Sequence, residues 1–192
     1  VFNLIRNSWK QIVLIVVLAT VSTAVLLYFK KPYYRSSATS TFNYSKYAYI
    51  YTATELAAIP AGSMITQIEW QKVSGTITAP NTFEILLANN SATTLTTGTT
   101  WGALTAGSTS AYNNTNQGFM ATGPGWESFV LTTPFIYTGG TLQIMTDHVK
   151  AGTASAANPF YRELATGLAI GWSAGAAGSS ATTLTTTYGN YR

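Results

Sequence analysis

Hydrophobic positions follow two different patterns along the chain. From Gln11 to Phe29 the residues are apolar, hydroxylated or amidic, with no charge among them. Those 19 residues, at about 1.5 Å each, would make a helix of about 28 Å, close to the hydrocarbon thickness of a bilayer. Thr20, Ser22 and Thr23 are compatible with it, since a hydroxyl can bond back to a carbonyl of the preceding turn, and Pro32 ends it. The face expected to meet lipid or other helices carries Ile12, Ile15, Val16, Leu18, Val21, Val25, Leu26 and Phe29. Trp9 with Lys10, and Tyr28 with Lys30 and Lys31, form the interfacial edges. Arg6 and Lys10 ahead of Ser22-Thr23-Ala24 also suit a cleaved signal, but the run continues through Val25 to Phe29, where a cleaved signal would have ended. The reading is therefore a retained hydrophobic helix with basic flanks over 1–32, an extended linker over 33–48, and a β-sandwich domain over 49–192.

After Pro32 the period shortens to two. Ile68 and Trp70 alternate with Gln67, Glu69 and Gln71; Phe83, Ile85 and Leu87 align, as do Phe129 and Leu131; Leu142 and Ile144 oppose Gln143 and Asp147. Such alternation predicts half-buried strands. Turn-rich stretches separate them: Ile59-Pro60-Ala61-Gly62, Gly75 to Asn81, Gly118 to Gly125 and Thr138-Gly139-Gly140. Short strands with this punctuation predict an antiparallel sandwich or jelly roll. The apolar-poor stretches 93–118 and 171–187 are expected to be long loops or edge strands. The fold class is thus one transmembrane-type helix followed by an all-β domain.

Composition changes this picture in two ways. Only 8% of the 192 residues are charged and none is cysteine, which suits an exported or assembled protein and excludes a disulfide framework, thiolate chemistry and cysteine-based zinc sites. The net charge of +4 is also unevenly spread: residues 1–46 hold Arg6, Lys10, Lys30, Lys31, Arg35 and Lys46 with no acid, while the remainder holds four bases and all six acids. Basic character therefore belongs to the flanks of the apolar run rather than to a stripe on the folded domain, which argues against nucleic-acid binding. Cations at both ends leave the orientation of the helix open. A long neutral domain translocates largely regardless of charge, so an extracytoplasmic, cell-surface location is expected.

The segment "NSWKQIVLIVVLATVSTAVLLYFKKPYYRSSAT" resembles the first membrane helix of bacterial polysaccharide chain-length determinant proteins. The family's long helical region and second membrane helix have no counterpart in the rest of the sequence, so no activity is transferred. A longer resemblance covers about residues 47–150. "YIYTATELAAIPAGSMITQIEWQKVSGTITAPNTFEILLANNSATTL" and "GWESFVLTTPFIYTGGTLQIMTDHV" resemble a β-sandwich module of secreted and surface proteins of the Bacteroidota, in the order and spacing of strands and of the Thr-Pro-Phe-x-Tyr-x-Gly corner. That resemblance implies an extracytoplasmic accessory or structural domain without catalytic residues. In that module the segment matching Tyr188 to Arg192 precedes a closing Pro-Asn-Ile strand. The expectation is an edge filled by Tyr33 to Tyr49 folding back or by a strand from a neighbouring copy.

Candidate chemistry is sparse. A Ser-His-Asp arrangement needs a histidine and a carboxylate that can meet it, but Asp147 and the single histidine, His148, are consecutive in a strand and should point to opposite faces. Glycosidase chemistry needs two carboxylates flanking a cleft; Glu69 and Glu84 read as solvent-facing strand residues, and Glu55, Glu127, Asp147 and Glu163 as strand-end or loop residues. No loop gathers the oxygens that calcium requires. The expectation is no enzyme, no cofactor and no metal. Trp101, Trp126 and Trp172, with Tyr112 and Tyr137, stand in or beside expected loops and could stack on sugars, but the favoured expectation is core packing, with Trp126 and Phe129 starting a core strand and Trp172 under a long loop, since aromatics supply most of the core area in a chain so rich in small residues. Asn43, Asn89 and Asn113 open N-x-S/T triplets, which are glycan acceptors in a suitable host.

These readings converge on a non-enzymatic structural protein: a subunit anchored in a bilayer, or assembled with copies of itself as a homo-oligomer, as in a pilin-like filament, an envelope or a virion. The alternative is a tethered adhesive or polysaccharide-binding surface module. The chain begins with Val1 and leads into an apolar run and a neutral head, as pilins do, but Phe2 and Ile5 stand where bacterial type IV pilins pair an N-terminal Phe with a Glu at position five.

Overall fold

The computed structural model describes residues 14–17, 24–29, 42–72, 81–118, 125–150, 167–175 and 181–187. Ten strands are assigned within them: β1 (Leu14–Val17), β2 (Ala24–Phe29), β3 (Phe42–Tyr51), β4 (Met64–Lys72), β5 (Asn81–Asn90), β6 (Thr109–Asn114), β7 (Gly125–Ile136), β8 (Thr141–Lys150), β9 (Ala169–Gly175) and β10 (Thr186–Thr187), with one short helix, α1 (Trp101–Thr105), between β5 and β6. They form a four-stranded sheet of order β1-β2-β4-β7 and a six-stranded sheet of order β10-β9-β3-β8-β5-β6.

The expected all-β, largely antiparallel domain is present; the expected continuous helix over the apolar run is not. Leu14–Val17 and Ala24–Phe29 are antiparallel strands in register Leu14↔Leu27 to Val17↔Ala24. No described helix is long and apolar enough to cross a membrane. The reason lies in side-chain shape: Ile12, Val13, Ile15, Val16, Val17, Val21 and Val25 are β-branched, stiff at χ1 and suited to a pleated surface. A continuous apolar run has no period with which to tell a buried strand from a helix. Of the residues assigned to the helix face, Ile15 and Val16 fall in β1, and Val25, Leu26 and Phe29, with the interfacial Tyr28, fall in β2. Ile12, Leu18, Val21, Trp9, Lys10, Lys30 and Lys31 lie outside the described residues. β2 pairs with β4 in parallel, which departs from a wholly antiparallel expectation; a parallel neighbour requires a long crossover, and the connection from β2 to β4 contains β3 of the other sheet.

The segment read as a linker ends inside the domain. β3 begins at Phe42 and lies between β8 and β9, with Tyr47 opposite Thr146 on one side and Gly171 on the other. It is an interior strand rather than a patch on an edge.

Alternation in β4, β5, β7 and β8 builds the space between the sheets. Ile65, Ile68 and Trp70 of β4 and Phe129, Leu131 and Phe135 of β7 pack with Phe83, Ile85 and Leu87 of β5 and Leu142 and Ile144 of β8. Four aromatic rings interlock there: Phe129 lies 5.3 Å from Trp70, 5.2 Å from Phe83 and 5.5 Å from Tyr112, centroid to centroid. The Leu131-Thr132-Thr133-Pro134 stretch bulges, since the ladder steps from Gln67↔Val130 to Ile65↔Phe135, leaving only Thr66 opposite four residues. Pro134 sits in that bulge, where its missing N–H removes no ladder bond. The Thr132 hydroxyl then reaches across to the carbonyl of Ala111 in β6 (3.2 Å).

The other face of the six-stranded sheet is also covered. Ala48 and Ile50 of β3, Met145 of β8 and Ile170 of β9 pack under Leu95, Leu104 and Leu184. β8 is consequently buried on both faces over Thr141–Thr146, so Gln143, expected on a solvent face, is only 2% exposed. It is satisfied there: Nε2 donates to the Leu104 carbonyl (3.0 Å) and Oε1 accepts from Asn90 Nδ2 (2.6 Å). Thr100 caps α1, its hydroxyl accepting from Ala103 N (3.2 Å). Trp101 N donates to Thr182 O (2.7 Å), which ties the flap to the strand-like segment behind it.

Candidate functional site

The outer face of β7 carries the chain's exposed large apolar side chains among the described residues: Val130 at 65%, Ile136 at 56% and Trp126 at 38% exposure. The strand sits at the end of its sheet, pairing with β4. Alternation puts Phe129, Leu131 and Phe135 inward and leaves Ser128, Val130, Thr132 and Ile136 outward. Beside the aliphatic side chains the face carries an amide, a hydroxyl and a carboxyl group: the neighbour across the ladder from Val130 is Gln67, that of Ser128 is Glu69, and Gln67 Nε2 donates both to Glu69 Oε1 (2.7 Å) and to the Ser128 hydroxyl. Glu69 is buried at 8% exposure, not solvent-facing as expected, because this amide holds its carboxylate against the sheet. At the far end, Asn89 of β5 clamps the strand's exit, donating to Ile136 O and accepting from Thr138 N, both at 2.9 Å. The Asn89 side chain is thus engaged in the fold and is not a free glycan acceptor; Asn113 is exposed in β6.

The three tryptophans raised as sugar contacts stand in three different places. Trp126 is exposed near the start of β7. Trp101 opens α1 and covers the Lys46 ammonium, whose Nζ lies 5.0 Å from the ring centroid, so this ring serves a cation–π contact within the domain. Trp172 is in β9 opposite Lys46 in register. Tyr137 is 1% exposed, its hydroxyl donating to Gly140 O (2.6 Å), and Tyr112 packs edge-on against Phe129.

Lys46, grouped from sequence with the cations flanking the apolar run, is 8% exposed within β3. Its Nζ is 3.3 Å from Asp147 Oδ2. Asp147 and His148 do point to opposite faces of β8: Asp147 meets Lys46, whereas His148 stands against Phe83 between the sheets. Burial, and secondarily the like charge of Lys150, pushes His148 down to about 4. Burial pushes the Asp147 carboxyl up, and the Glu84 charge adds to this against the opposing pull of Lys46. Glu55 accepts from Thr52 N and Thr52 Oγ1, each at 2.8 Å, fixing the turn after β3. Among the described residues no three His, Cys, Asp or Glu side chains gather as metal ligands. The buried lysine was not marked from sequence because Lys46 falls in the segment expected to be an extended linker; the signal was its place in a Tyr-rich run of alternating residues.

The chain matches no protein-family model, no curated protein and no solved structure.

Proposed function

We propose that this chain is a non-enzymatic structural subunit whose β domain stands outside the cytoplasm and associates with copies of itself. The observation that carries the reading is the apolar outer face of β7, where Val130 and Ile136 stay exposed on an end strand and the one carboxyl group beside them, Glu69, is buried and held by Gln67. A face with hydroxyls and amides around two aliphatic side chains suits a like face better than a charged partner. The low charge of the whole chain supports the same reading, as does the resemblance to the Bacteroidota module. With β1 and β2 in a sheet of the domain, the apolar run serves assembly rather than a single membrane span. Sedimentation velocity and negative-stain imaging test this: concentration-dependent oligomers are expected, and Val130→Lys with Ile136→Lys should shift them to monomers. A monodisperse monomer at all concentrations would remove the reading.

A second reading, a surface module that binds polysaccharide, is favoured by Trp126 alone, which is 38% exposed near the start of β7. Titration with neutral oligosaccharides separates the two: saturable tryptophan quenching lost in Trp126→Ala supports sugar binding, and its absence with intact oligomers supports assembly.

A further inference from the structure

One row of residues runs straight across the middle of the six-stranded sheet. Lys46 of β3 is the register partner of Asp147 of β8, and Asp147 is the register partner of Glu84 of β5. Directly opposed residues on antiparallel strands carry their Cβ atoms on one face, about 4.5–5.5 Å apart. The row therefore places an amine, a carboxyl and a second carboxyl side by side on one face of the sheet, buried at Lys46 and opening toward solvent at Glu84.

The environment is unusual for a simple ion pair. Lys46 Nζ is 3.3 Å from Asp147 Oδ2, with the two side chains 10% and 22% exposed. The Trp101 ring lies above the nitrogen, and the carbonyl of Ala181 takes a contact at 3.5 Å. Asp147 Oδ1 is buried and accepts no hydrogen bond from a described residue. Glu84 is oriented from the far side by the Ser110 hydroxyl, which donates to Oε1 at 2.6 Å. Burial raises the Asp147 pKa, which favours the neutral carboxylic acid, the form whose carbon can be attacked.

We infer that Lys46 and Asp147 condense to an intramolecular amide, a covalent cross-link between β3 and β8, with Glu84 shuttling the proton. The Lys46 ammonium first passes a proton to the paired Asp147 carboxylate, which gives an amine and a carboxylic acid; the Nζ lone pair then attacks Asp147 Cγ, and Glu84 takes one of the two protons left on the nitrogen. The same proton is delivered to a carboxyl oxygen of Asp147, which leaves as water as the Cγ–O bond breaks and the Cγ–N bond remains. Nothing is oxidised or reduced, and no co-reactant is required. The partners need no search, since the strand ladder already holds them in contact, which is the proximity that makes an intramolecular condensation feasible. Trp101 and the α1 flap limit the access of water that would reverse it. This modification is argued from the row alone and stands or falls independently of self-association.

Intact mass spectrometry of the full chain, purified in the folded state, is the test. The expected mass is lower than that of the sequence by one water, with a branched peptide after digestion that joins the Lys46 and Asp147 segments. Lys46→Arg and Glu84→Gln should both restore the unreduced mass. Asp147→Asn should condense with loss of ammonia in place of water. An unreduced mass in wild-type material whose circular dichroism reports the β fold overturns the proposal. So does a water loss that persists in Lys46→Arg or maps to other residues. Water loss that persists in Glu84→Gln removes Glu84 from the proton path.

Discussion

His148 stands edge-on to Phe83, with ring centroids 6.4 Å apart and planes at 64°, in the apolar space between the two sheets. An imidazolium there would be desolvated and would face the like charge of Lys150, so its pKa falls from 6.5 to about 4. The unfolded chain then binds a proton that the folded chain refuses across that window, so stability falls as pH drops from about 6.5 toward about 4, and the loss is complete below it. Two and a half pKa units correspond to about 3 kcal/mol. Urea unfolding at a series of pH values should show this slope, and His148→Leu should flatten it. As long as its carboxyl is free, before any condensation with Lys46, Asp147 acts with opposite sign: its raised pKa contributes stability that is fully present below its ordinary value of 3.8 and lost as pH rises through the folded value. A slope unchanged in His148→Leu would place the titration elsewhere.

Phe129 is the hub of the aromatic cluster, touching Trp70, Phe83 and Tyr112, at 1% exposure. Phe129→Ala should cost about 3–5 kcal/mol, since the rings around it belong to three different strands and cannot all close on the cavity. Val130→Ala, one residue on but 65% exposed, should change the monomer's stability by less than about 0.5 kcal/mol. Equal effects in guanidinium unfolding would mean that β7 presents the opposite face to the core.

Where one face of a strand is buried and the other wet, the fold was legible in the order of residues. Phe83, Ile85 and Leu87, and Phe129 with Leu131, point inward as alternation requires. Legibility failed where both faces are covered. Gln143 and Lys46 lie under the α1 flap, and a polar residue paired by Asn90 and Leu104 O, or by Asp147, looks in sequence like one meeting water. It failed also in the apolar run, where β1 and β2 carry no polar residue to mark a period. The exposed face of β7 was readable as the alternate set to Phe129 and Leu131. The Lys46–Asp147–Glu84 row was not, because a row across three strands depends on register, which local pattern leaves open.

Gly139 and Gly62 both have left-handed backbones, at φ +94° and +87°, yet they should respond differently to alanine. A Cβ on Gly139 would lie 2.8 Å from Ala61 Cβ, whereas one on Gly62 meets nothing within 4 Å. Gly62→Ala should cost about 1 kcal/mol for the backbone alone. Gly139→Ala should cost clearly more, because the β7–β8 turn must also move away from the β3–β4 loop that Gly62 N anchors through Tyr137 O (2.7 Å). Thermal unfolding of the two variants side by side reads the difference; equal losses would mean that the two loops yield freely.

Gln143 ties the α1 flap to the middle of the six-stranded sheet, and its removal should separate local from global stability. Its Nε2 donates to Leu104 O at 3.0 Å, and its Oε1 receives Asn90 Nδ2 at 2.6 Å. Gln143→Leu keeps much of the volume but leaves that carbonyl and that amide without their partner in a dry setting, a loss of about 1–3 kcal/mol. The flap keeps other moorings: Gly98 N to Leu184 O (2.8 Å), Leu184 N to Thr99 O (3.0 Å), and the packing of Leu95, Leu104 and Leu184. It should therefore loosen rather than detach. Hydrogen exchange in residues 99–108 is expected to accelerate more than in the ladder between β5 and β8, whose amides open with the whole domain. Acceleration that is uniform across both regions would show that the flap and the sheet unfold as one unit, and that Gln143 supports the core as a whole rather than the cover over Lys46 and Asp147.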